Sequence, residues 1–412
     1  MITLSIAQCV SAFCTVASSL LVVTASAEAA ELQFSSDFDS GNGTAFQLIG
    51  ENHYQFEFED DSNSTDRQWF YFEVKGANES TLTFDLIETE KTNVPGHWRS
   101  AVPVYSNDAG ATWQRIATQP QMEGTTYRFT HEFTSDTVRL AFHDPYPLSR
   151  INSQIAQWQQ SPWCTASERI GESTQGRPLT HLTITDTTVP AAEKVGVWVI
   201  ARQHAAEVTG SFVLEGMMEF LLSNDSTAQL IRRNATINVI PVVNPDGVVM
   251  GNYRDNAQGV NLNRVWNGTA SMIESPEVVW AKRAIKQWVD AGNNYTYFFD
   301  LHSTSGAQPH FAFHSTANQT SEEYYARLQA FLQLIESFAP AFDASIGRSS
   351  ALTSQLAEDS NYIDYGVIAF TFEAGYNNQT HGPEADEYMT PAVHKSVGVG
   401  IAKAVAATEG WE

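Results

Sequence analysis

The chain has 412 residues, of which 42% are hydrophobic, and a formal net charge of −24 at pH 7. This length and apolar fraction are enough for two or three folded domains with full cores. The 47 acidic residues outnumber the 23 basic ones, which argues against a nucleic-acid-binding protein because phosphate contacts require clustered Lys and Arg.

The first residues have the character of a targeting segment. Residues 1–27 carry no charged side chain, and the run from Ala12 to Val23 is mostly apolar. Ala25-Ser26-Ala27 has the small-x-small pattern of a signal-peptidase site, although the Lys or Arg that usually precedes the apolar run is missing. The sequence predicts a signal peptide over residues 1–27 and an exported protein, periplasmic or secreted. The run is too short for a membrane span, and none is expected.

Strand-like runs dominate residues 32–143. Short segments rich in aromatic and β-branched residues, such as 53–59, 69–74 and 80–86, alternate with turn clusters such as Asp39-Ser40-Gly41-Asn42-Gly43. A period of two with regularly spaced turns is typical of antiparallel sheets. We therefore predict an antiparallel β-sandwich domain over residues 32–143.

The pattern changes near Pro145-Tyr146-Pro147, after which strands alternate with helices up to residue 412. This alternation predicts an α/β domain over residues 145–412, with a mixed, mainly parallel sheet flanked by helices. The predicted strands cover 194–200, 236–243, 295–301 and 367–372, and the predicted helices cover 151–159, 208–222, 275–290, 322–338 and 391–407.

Two histidines and a glutamate lie at the ends of predicted strands. His204 and Glu207 come shortly after the strand that ends at Ile200, and His302 directly follows Leu301. Ligands of open α/β sheets collect outside the carboxyl ends of the strands, so these three side chains are expected to converge. Two His and one Glu form a known catalytic zinc set with a fourth position for water. The alternative for His302 alone is an ordinary buried histidine.

Three further groups are candidates for the chemistry. Glu373 ends the apolar strand at Phe372, where a carboxylate can take a proton from an activated water molecule and return it to a leaving group. Asn263 and Arg264 can clamp a carboxylate, and Arg254 can stabilise an oxyanion. From spacing alone, ordinary surface salt bridges are an equal alternative for both arginines.

With these residues in place, the chain resembles the M14 metallocarboxypeptidases, especially the cytosolic-carboxypeptidase-like subfamily. The resemblance covers roughly residues 145–412, and the subfamily also carries a β-sandwich before its catalytic domain. The motifs that carry it are Arg202-Gln203-His204 through Glu207, Asn244-Pro245-Asp246-Gly247, Gly251-Asn252-Tyr253-Arg254, Leu262-Asn263-Arg264, Asp300-Leu301-His302-Ser303 and Phe370-Thr371-Phe372-Glu373.

The resemblance implies a role for each candidate. One zinc ion per chain would be bound by His204, Glu207 and His302. Glu373 would be the general base and then the general acid, and Arg254 would polarise the scissile carbonyl. Asn263 and Arg264 would hold the terminal carboxylate of the substrate.

This sequence departs from the family in two places. Digestive members use a mobile tyrosine well upstream of the general base, whereas Tyr362 and Tyr365 lie much closer to Glu373. Deglutamylating members place a basic residue in the side-chain pocket, whereas the corresponding stretch here is Leu356-Ala357-Glu358-Asp359-Ser360-Asn361. If Glu358 or Asp359 lines that pocket, we expect a preference for Lys or Arg at the substrate terminus.

The sequence thus predicts an exported zinc metallocarboxypeptidase that removes the C-terminal amino acid from peptides or proteins. One alternative is a related hydrolase of murein peptides, which the predicted export favours. Another is a non-catalytic binding protein in which the sandwich is the working part and the α/β domain is inactive. Metal content separates this last alternative from both enzymes.

Overall fold

The N-terminal part of the chain is built from two sheets of short strands. The computed structural model describes residues 32–59, 61, 67–87, 98–99, 101–304, 308–347, 352–376 and 388–411, so the predicted signal peptide lies outside the described residues. The strands of this part are β1 Gln33–Ser35, β2 Thr44–Gly50, β3 His53–Glu57, β4 Tyr71–Lys75, β5 Ser80–Leu86, β6 Val104–Ser106, β7 Gln114–Arg115, β8 Gln121–Glu123, β9 Thr126–Phe133 and β10 Thr137–Ala141.

These strands form two five-stranded sheets, in the orders β1-β4-β10-β6-β7 and β2-β3-β5-β9-β8. Aromatic side chains fill the space between the sheets: the ring of Phe56 lies 5.0 Å from that of Phe72, and Phe72 lies 5.8 Å from Phe84. Burial of each such ring contributes about 1.5–3 kcal/mol. The predicted sandwich is confirmed, with one difference: β3 and β5 pair in parallel, because the intervening strand β4 belongs to the other sheet.

The remaining chain alternates strands with helices. Its strands are β11 Cys164–Glu172, β12 Pro178–Ile184, β13 Val195–Ala201, β14 Ala235–Ile240, β15 Asn294–Thr304, β16 Phe311–Phe313 and β17 Ile368–Gly375. Its helices are α1 Leu148–Trp158, α2 Val208–Leu221, α3 Ser226–Asn234, α4 Pro245–Met250, α5 Pro276–Asp290, α6 Glu322–Phe338, α7 Ala357–Tyr365 and α8 Pro391–Glu409.

The strands of this region form a seven-stranded mixed sheet in the order β11-β12-β14-β13-β15-β17-β16. The four strands β14, β13, β15 and β17 are parallel to one another, and antiparallel strands flank them on both sides. The predicted α/β fold with a mixed sheet is confirmed. The hairpin of β11 and β12 was not predicted; β11 is mostly polar and has no buried residue, so it gives no apolar alternation.

The parallel strands bring candidate residues to one edge of the sheet. His302 lies in β15 and Glu373 lies in β17, and the two residues are direct partners in the pairing of these strands. His204 and Glu207 lie between the end of β13 and the start of α2. The described residues from Leu32 onward form one compact unit, and among their helices none is long and apolar enough to cross a membrane.

Candidate active site

Three donor atoms converge at the carboxyl end of the sheet. His204 Nδ1 lies 2.7 Å from Glu207 Oε1, and His302 Nδ1 lies 2.7 Å from Glu207 Oε2. The two Nδ1 atoms are 3.0 Å apart. His204, Glu207 and His302 are the group found among the described residues whose ligand atoms all lie within 4.8 Å of one another, close enough to hold a metal ion.

The outer nitrogens of both imidazoles face acceptors. His302 Nε2 lies 2.8 Å from Asp300 Oδ2, and His204 Nε2 lies 3.0 Å from Asn261 Oδ1. These contacts favour protonation of each Nε2, which leaves each Nδ1 facing the carboxylate of Glu207. A divalent cation bound between these atoms would displace the protons shared by the Nδ1 atoms and the carboxylate. The donor set therefore fits a metal with nitrogen and oxygen ligands, such as zinc.

The electrostatics of the cluster favour a positive charge at its centre. Burial, together with the nearby Arg254 guanidinium, lowers the pKa of His204 to about 3, so its ring is neutral. Burial acts in the same direction on His302, but the carboxylates of Asp300 and Glu207 outweigh it and raise its pKa. Burial opposes ionisation of Glu207, yet the two histidines hold its pKa well below the usual value.

Glu373 and Arg254 lie beside this cluster. Burial and the charge of Glu207 raise the pKa of Glu373 to about 8, while His302 and Arg254 lower it. Arg254 Nη1 lies 3.8 Å from Glu207 Oε1. A carboxyl group with a pKa near neutrality can both accept and release a proton, which is the property required of a general base that later acts as an acid.

Asn263 and Arg264 line the same cavity, whose volume is about 270 Å³. Asn263 is buried; its Oδ1 accepts a hydrogen bond from Ala357 N at 2.8 Å, and its Nδ2 lies 3.4 Å from His302 Nε2. Arg264 is exposed and donates from Nη1 to the carbonyl of Asn263 at 2.6 Å. The structure therefore brings all seven sequence-predicted residues to one cavity.

The cavity is lined by Glu358 but not by Asp359. Glu358, Leu356, Phe313 and Thr371 line the cavity. Asp359 is directed elsewhere, because its carboxylate accepts hydrogen bonds from Ser315 Oγ and the backbone nitrogen of Thr353, both at 2.8 Å.

Four residues around the site had no role predicted for them from the sequence. Phe313 and Thr371 line the cavity, and Asp300 and Asn261 contact the two imidazoles. The signal available for Asp300 was its position two residues before His302 on a strand, which places both side chains on the same face. Tyr362 and Tyr365, which lie too close to Glu373 in sequence to match the mobile tyrosine of digestive members, do not line the cavity; their rings pack against Tyr324 at 4.3 Å and Tyr295 at 5.3 Å.

The fold and this donor set define a metal-dependent hydrolase class built on an α/β sheet. Comparison with protein families specifies the class further. The family model described as Zinc carboxypeptidase, Peptidase_M14, matches residues 151–393, and the model described as Cytosolic carboxypeptidase N-terminal domain matches residues 34–143. The chain belongs to the M14 zinc carboxypeptidase family, and it is a metallocarboxypeptidase.

Solved structures and curated relatives agree with this family. A metallo-carboxypeptidase from Burkholderia cenocepacia superposes with a TM-score of 0.83 at 25% identity, covering 92% of this chain and 99% of that one. A metallo-carboxypeptidase from Pseudomonas aeruginosa, in complex with (2-guanidinoethylmercapto)succinic acid, gives 0.81 at 26% identity over 92% and 99%. Cytosolic carboxypeptidase 6 of Caenorhabditis elegans is 29% identical over 71% of this chain and 66% of its own length.

These relatives contradict the predicted export. The matching N-terminal model and relatives from Caenorhabditis elegans and Homo sapiens carry the name cytosolic carboxypeptidase, which points to a cytosolic protein rather than an exported one. The prediction rested on a short apolar run without the preceding positive charge of a signal peptide. The alignment with human cytosolic carboxypeptidase 4 covers 85% of this chain but 36% of the human protein, which is therefore the longer of the two.

Proposed function

We propose that this protein is a zinc-dependent carboxypeptidase that hydrolyses the last peptide or isopeptide bond of its substrates, with Glu373 as general base. The observation that carries the proposal is the pairing of His302 with Glu373 on adjacent strands, beside the cluster of His204 and Glu207. A group suited to hold the metal and a carboxyl group suited to move a proton thus lie next to each other in one cavity.

Each residue has a defined part in the proposed reaction. Zinc held by His204, Glu207 and His302 would supply Lewis acidity and lower the pKa of a water molecule toward neutrality. Glu373 takes the proton of the water molecule that attacks the scissile carbonyl. The same carboxyl then protonates the nitrogen of the leaving amine as the C–N bond breaks.

Two arginines complete the proposed mechanism. The Arg254 guanidinium lines the cavity near the metal-binding carboxylate and stabilises the oxyanion that develops on the carbonyl. Arg264 holds the terminal carboxylate of the substrate by charge-assisted hydrogen bonds, which selects the end of a chain over an internal bond. Asn263 supports this position, because its carbonyl anchors Arg264 and its side chain anchors Ala357.

The alternatives carry less support. The murein-peptide hydrolase was favoured by the predicted export, and that prediction is wrong. Membership of the zinc carboxypeptidase family supports an enzyme over a non-catalytic binding protein.

Digestion of a peptide library, read by mass spectrometry, tests the proposed function. We expect loss of single residues from free C-termini, loss of this activity with a chelator, and its return with zinc. Peptides that end in an amide are the matched control, because they lack the carboxylate that Arg264 would bind. Equal cleavage of free and amidated termini would reject the carboxypeptidase assignment.

The cavity also supports a preference for basic terminal residues. Glu358 is 2% exposed, and the proposed function gives it a place in the pocket for the substrate side chain. Its Oε2 is among the buried polar atoms for which the structure shows no hydrogen-bond partner. A guanidinium or ammonium group would satisfy this carboxylate. The guanidino ligand of the Pseudomonas aeruginosa enzyme has the corresponding chemistry.

The preference for arginine should depend on pH. Burial, together with the charges of Asp300 and Asp359, raises the pKa of Glu358 to about 8. The carboxyl is therefore neutral below this pH and negative above it, while arginine stays positive throughout. We expect the ratio of kcat/KM for Arg-terminated over Leu-terminated peptides to rise between pH 6.5 and pH 9, chosen as roughly one unit or more on either side of that pKa.

Matched substitutions check this expectation. Glu358→Gln should abolish the rise and reduce the preference for arginine by about tenfold or more, which corresponds to one charged hydrogen bond. Asp359→Asn neutralises the adjacent carboxylate, which is directed away from the cavity; this variant should keep the preference for arginine, and its rise should move to lower pH because the charge of Asp359 helps to raise the pKa of Glu358. The assignment fails if Asp359→Asn removes the preference, or if glutamate termini are released faster than arginine termini.

A further inference from the structure

One carboxylate of the sandwich accepts hydrogen bonds from three consecutive backbone nitrogens of the α/β region. Asp61 Oδ1 accepts from Tyr253 N at 2.8 Å, and Asp61 Oδ2 accepts from Arg254 N at 2.5 Å and from Asp255 N at 3.0 Å. Asp61 is 2% exposed. Burial raises its pKa to about 6, while the three hydrogen bonds oppose that rise, so the group is an anion at neutral pH. Bonds from backbone N–H groups to a buried anion are stronger than neutral ones.

Neighbouring residues of the sandwich hold the segment just before this loop. Ser40 Oγ donates to the carbonyl of Val248 at 2.8 Å, and Asn42 Nδ2 donates to that of Gly251 at 2.8 Å. Gly251 has φ +72°, and a Cβ at this position would lie 2.1 Å from the carbonyl oxygen of Gly41. The close approach of the two backbones therefore requires glycine, and the sandwich fixes the chain from the end of α4 to Asp255.

The loop held in this way carries Arg254 into the active site. The carbonyl of Tyr253 accepts a hydrogen bond from Ala206 N at 2.9 Å, one residue before Glu207. Arg254 itself lines the cavity, with Nη1 3.8 Å from Glu207 Oε1. The backbone position of Arg254 is thus set from two sides: by the metal-binding loop and by Asp61.

We propose that Asp61 is a positioning residue for Arg254, so that the sandwich completes the active site rather than only flanking it. This inference rests on the proposed role of Arg254 at the oxyanion. Without the carboxylate, two buried N–H groups and one partly buried N–H group lose their acceptor, and the loop shifts to regain hydrogen bonds. A displacement of about 1 Å at an oriented catalytic group can reduce the rate by about 100-fold.

A double-mutant cycle tests the proposal on the full-length zinc enzyme. Asp61→Asn keeps the shape of the side chain but replaces one acceptor oxygen with an N–H₂ group that faces backbone donors. We expect Asp61→Asn to lower kcat by about 10- to 100-fold with little change in KM and unchanged zinc content. Arg254→Ala alone should lower kcat by about 100- to 1,000-fold. In the Arg254→Ala background, Asp61→Asn should then have less than about a threefold effect, because residues that act as a unit are not additive.

Ser40→Ala is the matched control, since it removes a sandwich hydrogen bond to α4 and leaves the loop at 253–255 bound. It should lower the midpoint of thermal unfolding but keep kcat within about threefold. If Asp61→Asn does not fold, Asn42→Ala decides the matter, with a smaller loss of kcat that again vanishes in the Arg254→Ala background.

Two results would overturn the inference while leaving the proposed function intact. The first is an unchanged kcat in Asp61→Asn, and the second is a loss of equal size with and without Arg254. If instead Arg254→Ala keeps full activity, the assigned role of Arg254 is wrong, and the inference fails with it.

Discussion

Replacing Glu373 with glutamine should remove most of the turnover and leave the metal in place. Glutamine has the same shape as glutamate but cannot accept the proton of the attacking water, and loss of a general base lowers kcat by about 100- to 10,000-fold. The three candidate ligands are untouched, so zinc content should stay at one ion per chain. Steady-state kinetics and elemental analysis of the same preparation measure both quantities.

The matched control for this variant is Glu277→Gln. Burial also raises the pKa of Glu277, to about 7, but this residue does not line the cavity, and its Oε2 accepts a hydrogen bond from Asn256 Nδ2 at 3.2 Å. The control should keep its activity. A fully active Glu373→Gln enzyme, or equal losses in both variants, would remove the assigned role of Glu373.

Replacing His302 with alanine should abolish zinc binding and activity together. Only two of the three ligands remain in this variant. Loss of a residue that merely hydrogen-bonds a ligand already weakens metal binding by about 10- to 100-fold, so loss of the ligand itself should weaken it more. Asp300 also loses the ring that lies 2.8 Å from it and keeps a hydrogen bond from Gln203 Nε2 at 2.6 Å, so this buried carboxyl loses its charged partner. Breaking a buried pair in this way lowers the free energy of unfolding by about 3–5 kcal/mol. Zinc titration and thermal unfolding give the two readouts.

His181→Ala controls for the loss of a buried imidazole. His181 stacks on Trp198 with ring centroids 4.8 Å apart and bonds Asn238 Oδ1 at 3.0 Å, outside the cavity. This variant should lose some stability and keep its zinc. Retention of a full equivalent of zinc by His302→Ala, at the affinity of the unsubstituted protein, would contradict the proposed ligand set.

The spacing of apolar residues predicted most helices and strands of the α/β region, because these elements are buried either on one face or on all sides. The helix predicted over 322–338 coincides with α6, and the strand predicted over 194–200 differs from β13 by one residue at each end. Helix α7 was missed for a physical reason. Its buried residues include Glu358, Asp359, Ser360 and Asn361, so the side chains that face inward are polar and give no apolar period.

The site residues that could be predicted are those that lie at the ends of strands. His204, Glu207, His302 and Glu373 each lie at or just after the carboxyl end of a strand, and such positions can be recognised from sequence. The contribution of Asp61 could not be recognised, because it acts through backbone N–H groups that are 192 or more residues away and have no sequence signature. The same holds for the choice of Glu358 over Asp359, which depends on the rotation of α7.

The register of β15 and β17 has an evolutionary consequence. His302 and Glu373 are paired residues on adjacent strands, so their separation is set by interstrand geometry and not by the conformation of any loop. Part of the cavity wall comes from α7, through Glu358, and not from these two strands. Substitutions in α7 can therefore alter which terminal residue a related enzyme accepts, while the spacing of the two reacting groups on β15 and β17 stays constant.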